Sequence, residues 1–167
     1  MTESSEVLEE FKELFNVIKL CYQCGTCAGG CPVFKQNTQF NPRRIMEKLL
    51  LGDYTEEVID EQQIWYCTTC YTCSVRCPQG IDIGHVITEI KNLAVKMNNV
   101  PPGIIAEIKA IIDTGTTAAI SQSILKKRET LGLPELPKVD HDEVQKLLEV
   151  TGVIDRINQL ANIKEEP

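Results

Sequence analysis

No apolar run in these 167 residues approaches the ~20 needed to cross a bilayer; the purely apolar stretches are as short as Ile64 to Cys67. Direct membrane insertion is not expected. Positive charge is scarce too, with 17 Lys and Arg against 24 Asp and Glu and a formal net charge of -7. A phosphate backbone would be repelled by such a surface, so nucleic acid is not an expected partner. There is no Gly-x-Gly-x-x-Gly, and hence no visible dinucleotide site. Period-two alternation is lacking as well, which argues against strands. The two histidines, His85 and His141, have no matching ligand partners, and solvated or core-lining roles fit them better. Nothing in the opening residues MTESSEVLEE resembles a signal peptide. A reducing, cytoplasmic compartment is therefore expected. The apolar content of 43% is enough to bury a core and too high for a disordered chain.

All eight cysteines fall in two copies of one pattern: Cys21-x2-Cys24-x2-Cys27-x3-Cys31-Pro32 and Cys67-x2-Cys70-x2-Cys73-x3-Cys77-Pro78. This is the bacterial ferredoxin-type ligand run for a 4Fe-4S cluster. A cubane presents four iron corners, and three cysteines at intervals of three residues wrap one short loop around three of them. The fourth corner must be served from elsewhere. In two-cluster proteins of this type the cysteine before Pro ligates the other cluster. The expected ligand sets are thus Cys21, Cys24, Cys27 and Cys77 for cluster one, and Cys67, Cys70, Cys73 and Cys31 for cluster two. Four residue steps separate Cys27 from Cys31, about 14 Å if extended and about 6 Å if helical, so the clusters must be near neighbours. Pro32 and Pro78 turn the chain away after the crossing ligand. Two zinc sites of four thiolates are the alternative, but zinc explains neither the third cysteine at the same interval nor the Cys-Pro ending.

Between and around the motifs the pattern is helical. Val7, Leu8, Phe11, Leu14, Phe15 and Ile18 form an amphipathic lead-in to Cys21. Asn41-Pro42 is a cap with proline at the first helical position, and Gly52 closes that segment. Glu56 to Tyr66 suits a short helix running into Cys67. Gly84 to Met97 carries Ile87, Ile90, Leu93, Ala94 and Met97 on one face. Pro101-Pro102-Gly103 marks a break, Ile104 to Asp113 resumes and ends at Gly115, and Thr116 to Arg128 is a further candidate. Leu133 to Pro137 reads as a linker. Asp140-x-x-Glu143 resembles a capping box opening a last helix, Val144 to Val150, with Gly152 behind it. Its apolar Val144, Leu147 and Leu148, followed by Ile154, must be buried on this chain or on a partner, and the proline-bounded linker favours a partner. The expected domains are 1-100, holding both motifs, and 101-167, a helical C-terminal extension.

An all-α module with two such motifs and a helical insert resembles the α-helical ferredoxins, the C-terminal half of the iron-sulfur subunits of succinate dehydrogenase and fumarate reductase. It resembles more closely the C subunits of heterodisulfide reductase from methanogens. Asn41 to Ile83, NPRRIMEKLLLGDYTEEVIDEQQIWYCTTCYTCSVRCPQGIDI, carries this likeness together with CYQCGTCAGGCPV at Cys21 to Val33. The resemblance covers roughly residues 5 to 135.

What the resemblance implies is an oxidoreductase subunit without an active site of its own. Two 4Fe-4S clusters would relay electrons from the flavin and iron-sulfur protein of the complex, its A subunit, to the catalytic B subunit. That B subunit, marked by Cys-Cys-Gly motifs, reduces the heterodisulfide of coenzymes M and B in methanogenesis. No Cys-Cys-Gly occurs in this chain. A relay in another complex built on the same module, quinone-linked or sulfur-metabolising, stays open at this point. Arg43, Arg44 and Arg76 read as a solvated face or as groups tuning a cluster, Trp65 and Tyr66 as helix packing or a cluster shield, and Lys126-Lys127-Arg128 as too short for an anion site.

Overall fold

Helix starts in this chain are set by side chains that cap the first free backbone amides, and by prolines whose missing N–H costs nothing in the first turn. The computed structural model describes residues 16-52, 62-117 and 120-165, with side chains as far as residue 161. Among them every regular element is helical. The chain divides into two compact units, Met1–Asn99 and Val100–Pro167.

In the first unit, Asn16 to Ile18 are helical and Ile18 is fully buried; the rest of the expected lead-in lies outside the described residues. Helices α1 (Thr26–Gly30) and α2 (Pro32–Gln36) follow. In α3 (Pro42–Leu50) the Asn41 side-chain oxygen accepts from the amides of Arg43 at 3.0 Å and Arg44 at 3.3 Å. Gly52 takes a left-handed φ of 84° behind it, as the sequence suggests. Of the helix expected over 56-66, only a 3-10 turn, Gln62–Tyr66, falls within the described residues, and it leads straight into Cys67. Helix α4 (Thr72–Val75) carries Cys73 of the second motif, and α5 (Ile83–Lys96) is the long element of the unit.

Asp82 caps α5 through its carboxylate, which accepts from the amide of His85 at 3.0 Å. Ile83, Val86, Ile87, Ile90, Leu93 and Ala94 recur at three- and four-residue intervals and are buried. They meet Ile18, Phe40, Met46, Leu49 and Ile64 in one core, to which Cys27, Cys31 and Cys73 also belong. Each such aliphatic side chain contributes about 1.5–3 kcal/mol on burial. Met97, expected on this face, lies just past the last turn and is 43% exposed.

The second unit starts at α6 (Pro102–Thr114). It begins earlier than the expected Ile104 because Pro102 is accepted at the first helical position. Gly115, φ 72°, closes it, its N–H donating to the Ile111 carbonyl at 2.8 Å. Helix α7 (Gln122–Thr130) begins later than Thr116, at the Ser121 cap; Ala118 and Ala119 lie outside the described residues. Asp140 caps α8 (His141–Val150) through the amides of Asp142 and Glu143. Gly152 does not end the chain's helices, for α9 (Val153–Glu165) follows at once.

The tail packs on its own chain. Ile157 and Leu160 of α9 are buried, and α9 lies against α6 and α8. Helix α8 is tied to the last turn of α6, where the Ile112 carbonyl accepts from the Gln145 amide at 2.8 Å and meets His141 Nε2 at 2.9 Å. Carbonyls of a last helical turn have no partner within the helix, so this contact satisfies one of them. Val144 and Leu148 are half-buried in this way, while Leu147 is 67% exposed. The second unit thus covers part of this helix itself and leaves Leu147 and Val150 exposed. Leu160→Ala should destabilise the second unit by about 2–5 kcal/mol, seen as an earlier far-UV circular-dichroism transition in denaturant with bound iron unchanged; loss of iron would show that the tail supports the first unit.

Candidate metal centre

Each cysteine loop bends by the same backbone device. Gln23 and Gly25 have φ of 62° and 80°, and the equivalent Thr69 and Tyr71 have 53° and 57°. Left-handed conformations in non-glycine residues cost of order 1–3 kcal/mol and gather at functional sites. Tyr71 is the sharpest case, since a bulky aromatic residue rarely enters that region. The sequence offers no glycine there, so this strain was not legible. Backbone amides of the loops reach the sulfurs, those of Thr26 and Thr72 supporting the Cys24 and Cys70 thiolates and that of Ala28 the Cys27 thiolate.

The two loops match in burial as well. Cys24 and Cys70 are exposed, Cys27 and Cys73 are buried, and Cys21 and Cys67 lie between. The Thr26 hydroxyl stands 3.3 Å from Cys24 Sγ and that of Thr72 3.5 Å from Cys70 Sγ. These hydroxyls, with the neighbouring amides, hold both exposed thiols below the usual cysteine range. Burial pushes Cys73 up and Cys27 up to about 11.

The motifs also meet each other. A cavity in the first unit is lined by Cys67, Cys70 and Cys73 of the second motif and by Cys31 of the first, with Phe40, Gly84 and Ile87 in its walls. Cys31 is the N-cap of α2, its sulfur accepting from the Phe34 amide at 3.4 Å. At the first loop the Tyr22 hydroxyl is pushed up by desolvation and then by the fields of Cys24, Cys77 and Cys21, so Cys77 of the second motif lies near the first. Helices α1 and α4, which carry Cys27 and Cys73, pack together, and the two thiols sense one another.

Apolar walls, strained loops with amides that reach sulfur and four cysteines around a cavity fit a thiolate-ligated cluster. The cysteines surround a space rather than a point: among the described residues, no three His, Cys, Asp or Glu side chains converge as a single ion requires.

Close packing seats the second loop on α5. A Cβ at Gly84 would stand 2.9 Å from the Tyr71 ring and 3.1 Å from Ser74 Oγ. The Ser74 hydroxyl donates to Asp82 at 2.6 Å and accepts from the Gly84 amide at 2.8 Å. At the first loop Gln23 is the intermediary, accepting from Arg43 Nε at 3.3 Å and donating to Cys21 Sγ at 3.4 Å. Arg76 lies against Gly30, where a Cβ would meet its guanidinium at 2.9 Å. Arg43 and Arg76 therefore reach the loops, although both are exposed. Trp65 packs against the core, with its indole Nε1 buried and without a hydrogen-bond partner among the described residues.

Other candidates lie elsewhere. His85 is exposed, 3.9 Å from Glu89, and His141 serves the α6 terminus. Arg128 donates to the Pro134 carbonyl at 3.0 Å. Lys91, which no local pattern marks, donates to the Cys67 carbonyl from 24 residues away. Burial lowers its ammonium from the ordinary lysine value, and the Cys67 charge acts the other way.

Residues 17-81 match the family described as 4Fe-4S dicluster domain. The iron-sulfur C subunit of the CoB–CoM heterodisulfide reductase of Methanopyrus kandleri is 38% identical over 158 residues, 90% of this chain and 81% of its own length. The C subunit of the H(2):CoB-CoM heterodisulfide,ferredoxin reductase of Methanothermobacter thermautotrophicus is 36% identical over 141 residues, 81% of this chain and 75% of its own. That of the ferredoxin:CoB-CoM heterodisulfide reductase of Methanosarcina mazei is 32% identical over 151 residues, 90% and 92% of the two chains.

The thiolate is the reactive form of cysteine, so the opposed shifts have a direct readout. In metal-free protein near neutral pH, iodoacetamide should label Cys24 and Cys70 first and Cys27 last, at least about tenfold more slowly. The gap should narrow as pH rises toward the Cys27 value of about 11. Peptide mass spectrometry checks this; even labelling of all sites would contradict it.

Proposed function

The chain belongs to the family of iron-sulfur C subunits of heterodisulfide reductases, and from that premise we propose that it is the electron relay of such a complex. Electrons would pass from the flavin and iron-sulfur A subunit to the Cys-Cys-Gly B subunit, which reduces the coenzyme M and coenzyme B heterodisulfide. The observation that carries this reading is the cavity that Cys31 shares with Cys67, Cys70 and Cys73, because it interlocks the two motifs. We assign Cys21, Cys24, Cys27 and Cys77 to one 4Fe-4S cluster and Cys67, Cys70, Cys73 and Cys31 to the other. Bound there, each cubane would supply one-electron storage at a potential set by hydrogen bonding, charge and exposure.

The chain's own residues divide the remaining work. Gln23, Gly25, Thr69 and Tyr71 bend the loops whose amides reach sulfur. Thr26 and Thr72 stabilise the outer thiolates of Cys24 and Cys70. Cys27 and Cys73 are buried at the join of α1 and α4, from which water is excluded, and Cys24 and Cys70 face solvent. Disulfide cleavage takes two electrons and a place to hold the half-reduced intermediate. The sequence carries no Cys-Cys-Gly and no cysteine beyond the two motifs, so that chemistry falls to the neighbour. No helix among the described residues is long and apolar enough to cross a membrane, and we assign the chain to the cytoplasm. Residues 1-100 are assigned as the cluster domain and 101-167 as its helical extension.

Electron paramagnetic resonance of four serine variants tests the ligand sets. Cys31→Ser should disturb the same species as Cys70→Ser, and Cys77→Ser the same as Cys24→Ser; grouping by motif instead would refute the crossing. For the relay itself, the isolated holoprotein should accept electrons from dithionite and pass them to a dye, leaving the heterodisulfide intact until the Cys-Cys-Gly protein is added. Thiol release by the isolated chain at the rate of the complex would overturn the assignment.

A further inference from the structure

The cavity lined by Cys31, Cys67, Cys70 and Cys73 has a half-buried cation beside one of its lining residues. Lys91 projects from the middle of α5. Its ammonium donates to the Cys67 carbonyl at 2.8 Å and stands 5.7 Å from the centre of the Trp65 ring. Neither contact is with a carboxylate, so neither neutralises the charge. The ammonium is also half-buried, and solvent screens such a charge far less than an exposed one.

The other charges near the loops are differently placed. Arg43, the cation of the first loop, is exposed and acts on Cys21 through Gln23. Arg76 is exposed beside Gly30 and Thr72. Among the described residues, the carboxylate held against the second loop, Asp82, is exposed and already engaged by the Ser74 hydroxyl and the His85 amide. The outer thiols are matched, each with its threonine, and an N–H reaches sulfur at both sites, from Gln23 to Cys21 and from Phe34 to Cys31; the Ser74 hydroxyl on Cys73, where the first motif has Ala28, is a further difference but carries no charge. Among the described residues, Lys91 is the half-buried charge that distinguishes the second site.

Reduction adds one negative charge to a cluster, and an unscreened cation nearby stabilises the reduced form. We propose that Lys91 is a positioning residue for electrons: anchored on Cys67 and roofed by Trp65, its charge makes the cluster of Cys31, Cys67, Cys70 and Cys73 the more easily reduced of the two. The proposal rests on the ligand assignment given above. It sets a direction within the chain, downhill from the first motif to the second, so the acceptor protein belongs at the Cys70 end.

The test is a redox titration of the full-length holoprotein followed by paramagnetic resonance, on wild type, Lys91→Gln and Lys91→Arg. Glutamine keeps a donor for the Cys67 carbonyl without the charge, and arginine keeps the charge. Lys91→Gln should lower the midpoint of one cluster by about tenfold in its reduction equilibrium, equivalent to about 59 mV for one electron. The other midpoint should stay in place, Lys91→Arg should remain near wild type, and the moving signal should be the one that Cys70→Ser disturbs. Unmoved midpoints in Lys91→Gln, or equal movement of both clusters, would overturn the proposal. Loss of iron in both variants would overturn it in favour of a purely structural clamp. Failure of the ligand assignment shows separately, as wild-type protein without two clusters or as serine variants that group by motif.

Discussion

Convergence of sulfur from two distant segments on one cavity is the constraint on which the first unit is built. Cys31 can line the cavity with Cys67, Cys70 and Cys73 only if the chain between them leaves and returns to the same place. Helix α3, capped by Asn41 and buried through Ile45, Met46 and Leu49, spans part of that excursion, and the 3-10 turn at Gln62–Tyr66 brings it back. Buried cysteines then become part of the core: Cys27, Cys31 and Cys73 share one apolar cluster with Ile87 and Phe40. Cys31 and Cys73 therefore serve hydrophobic packing and line the cavity at once, and the loops accept left-handed strain at Thr69 and Tyr71 because that packing holds them.

What could be foreseen from sequence follows how local each signal is. The cysteine spacing, the Asn41-Pro42 start and the apolar face of α5 are encoded within a few residues, and all are found in the fold. Helix α9 was missed because Gly152, φ 70°, carries the usual signature of a helix end, and only the buried Ile157 and Leu160 distinguish a corner between two helices from a terminus. The start of α7 was misjudged because Ser121 competes with Thr116 as a cap, and tertiary context decides between such sites.

Within the metal centre the division is similar. The cysteines announce themselves by their spacing, whereas the groups that set their environment are non-local. Lys91 reaches Cys67 across 24 positions, and Arg43 reaches Gln23 across 20. The strain at Tyr71 is hidden for another reason, since its residue type disfavours the conformation it holds.

Gly84 carries a mechanical consequence. Its bare Cα lets the first turn of α5 rest directly on Tyr71 and Ser74, with no space for even a methyl group. Helix α5 is 14 residues long, roughly 21 Å at 1.5 Å per residue, and its middle is clamped to Cys67 through Lys91. A stiff rod touching the cavity wall at both places behaves as a strut: it can neither slide nor tilt without moving the loop that holds Cys70. Any side chain at position 84, whatever its polarity, would push that wall outward.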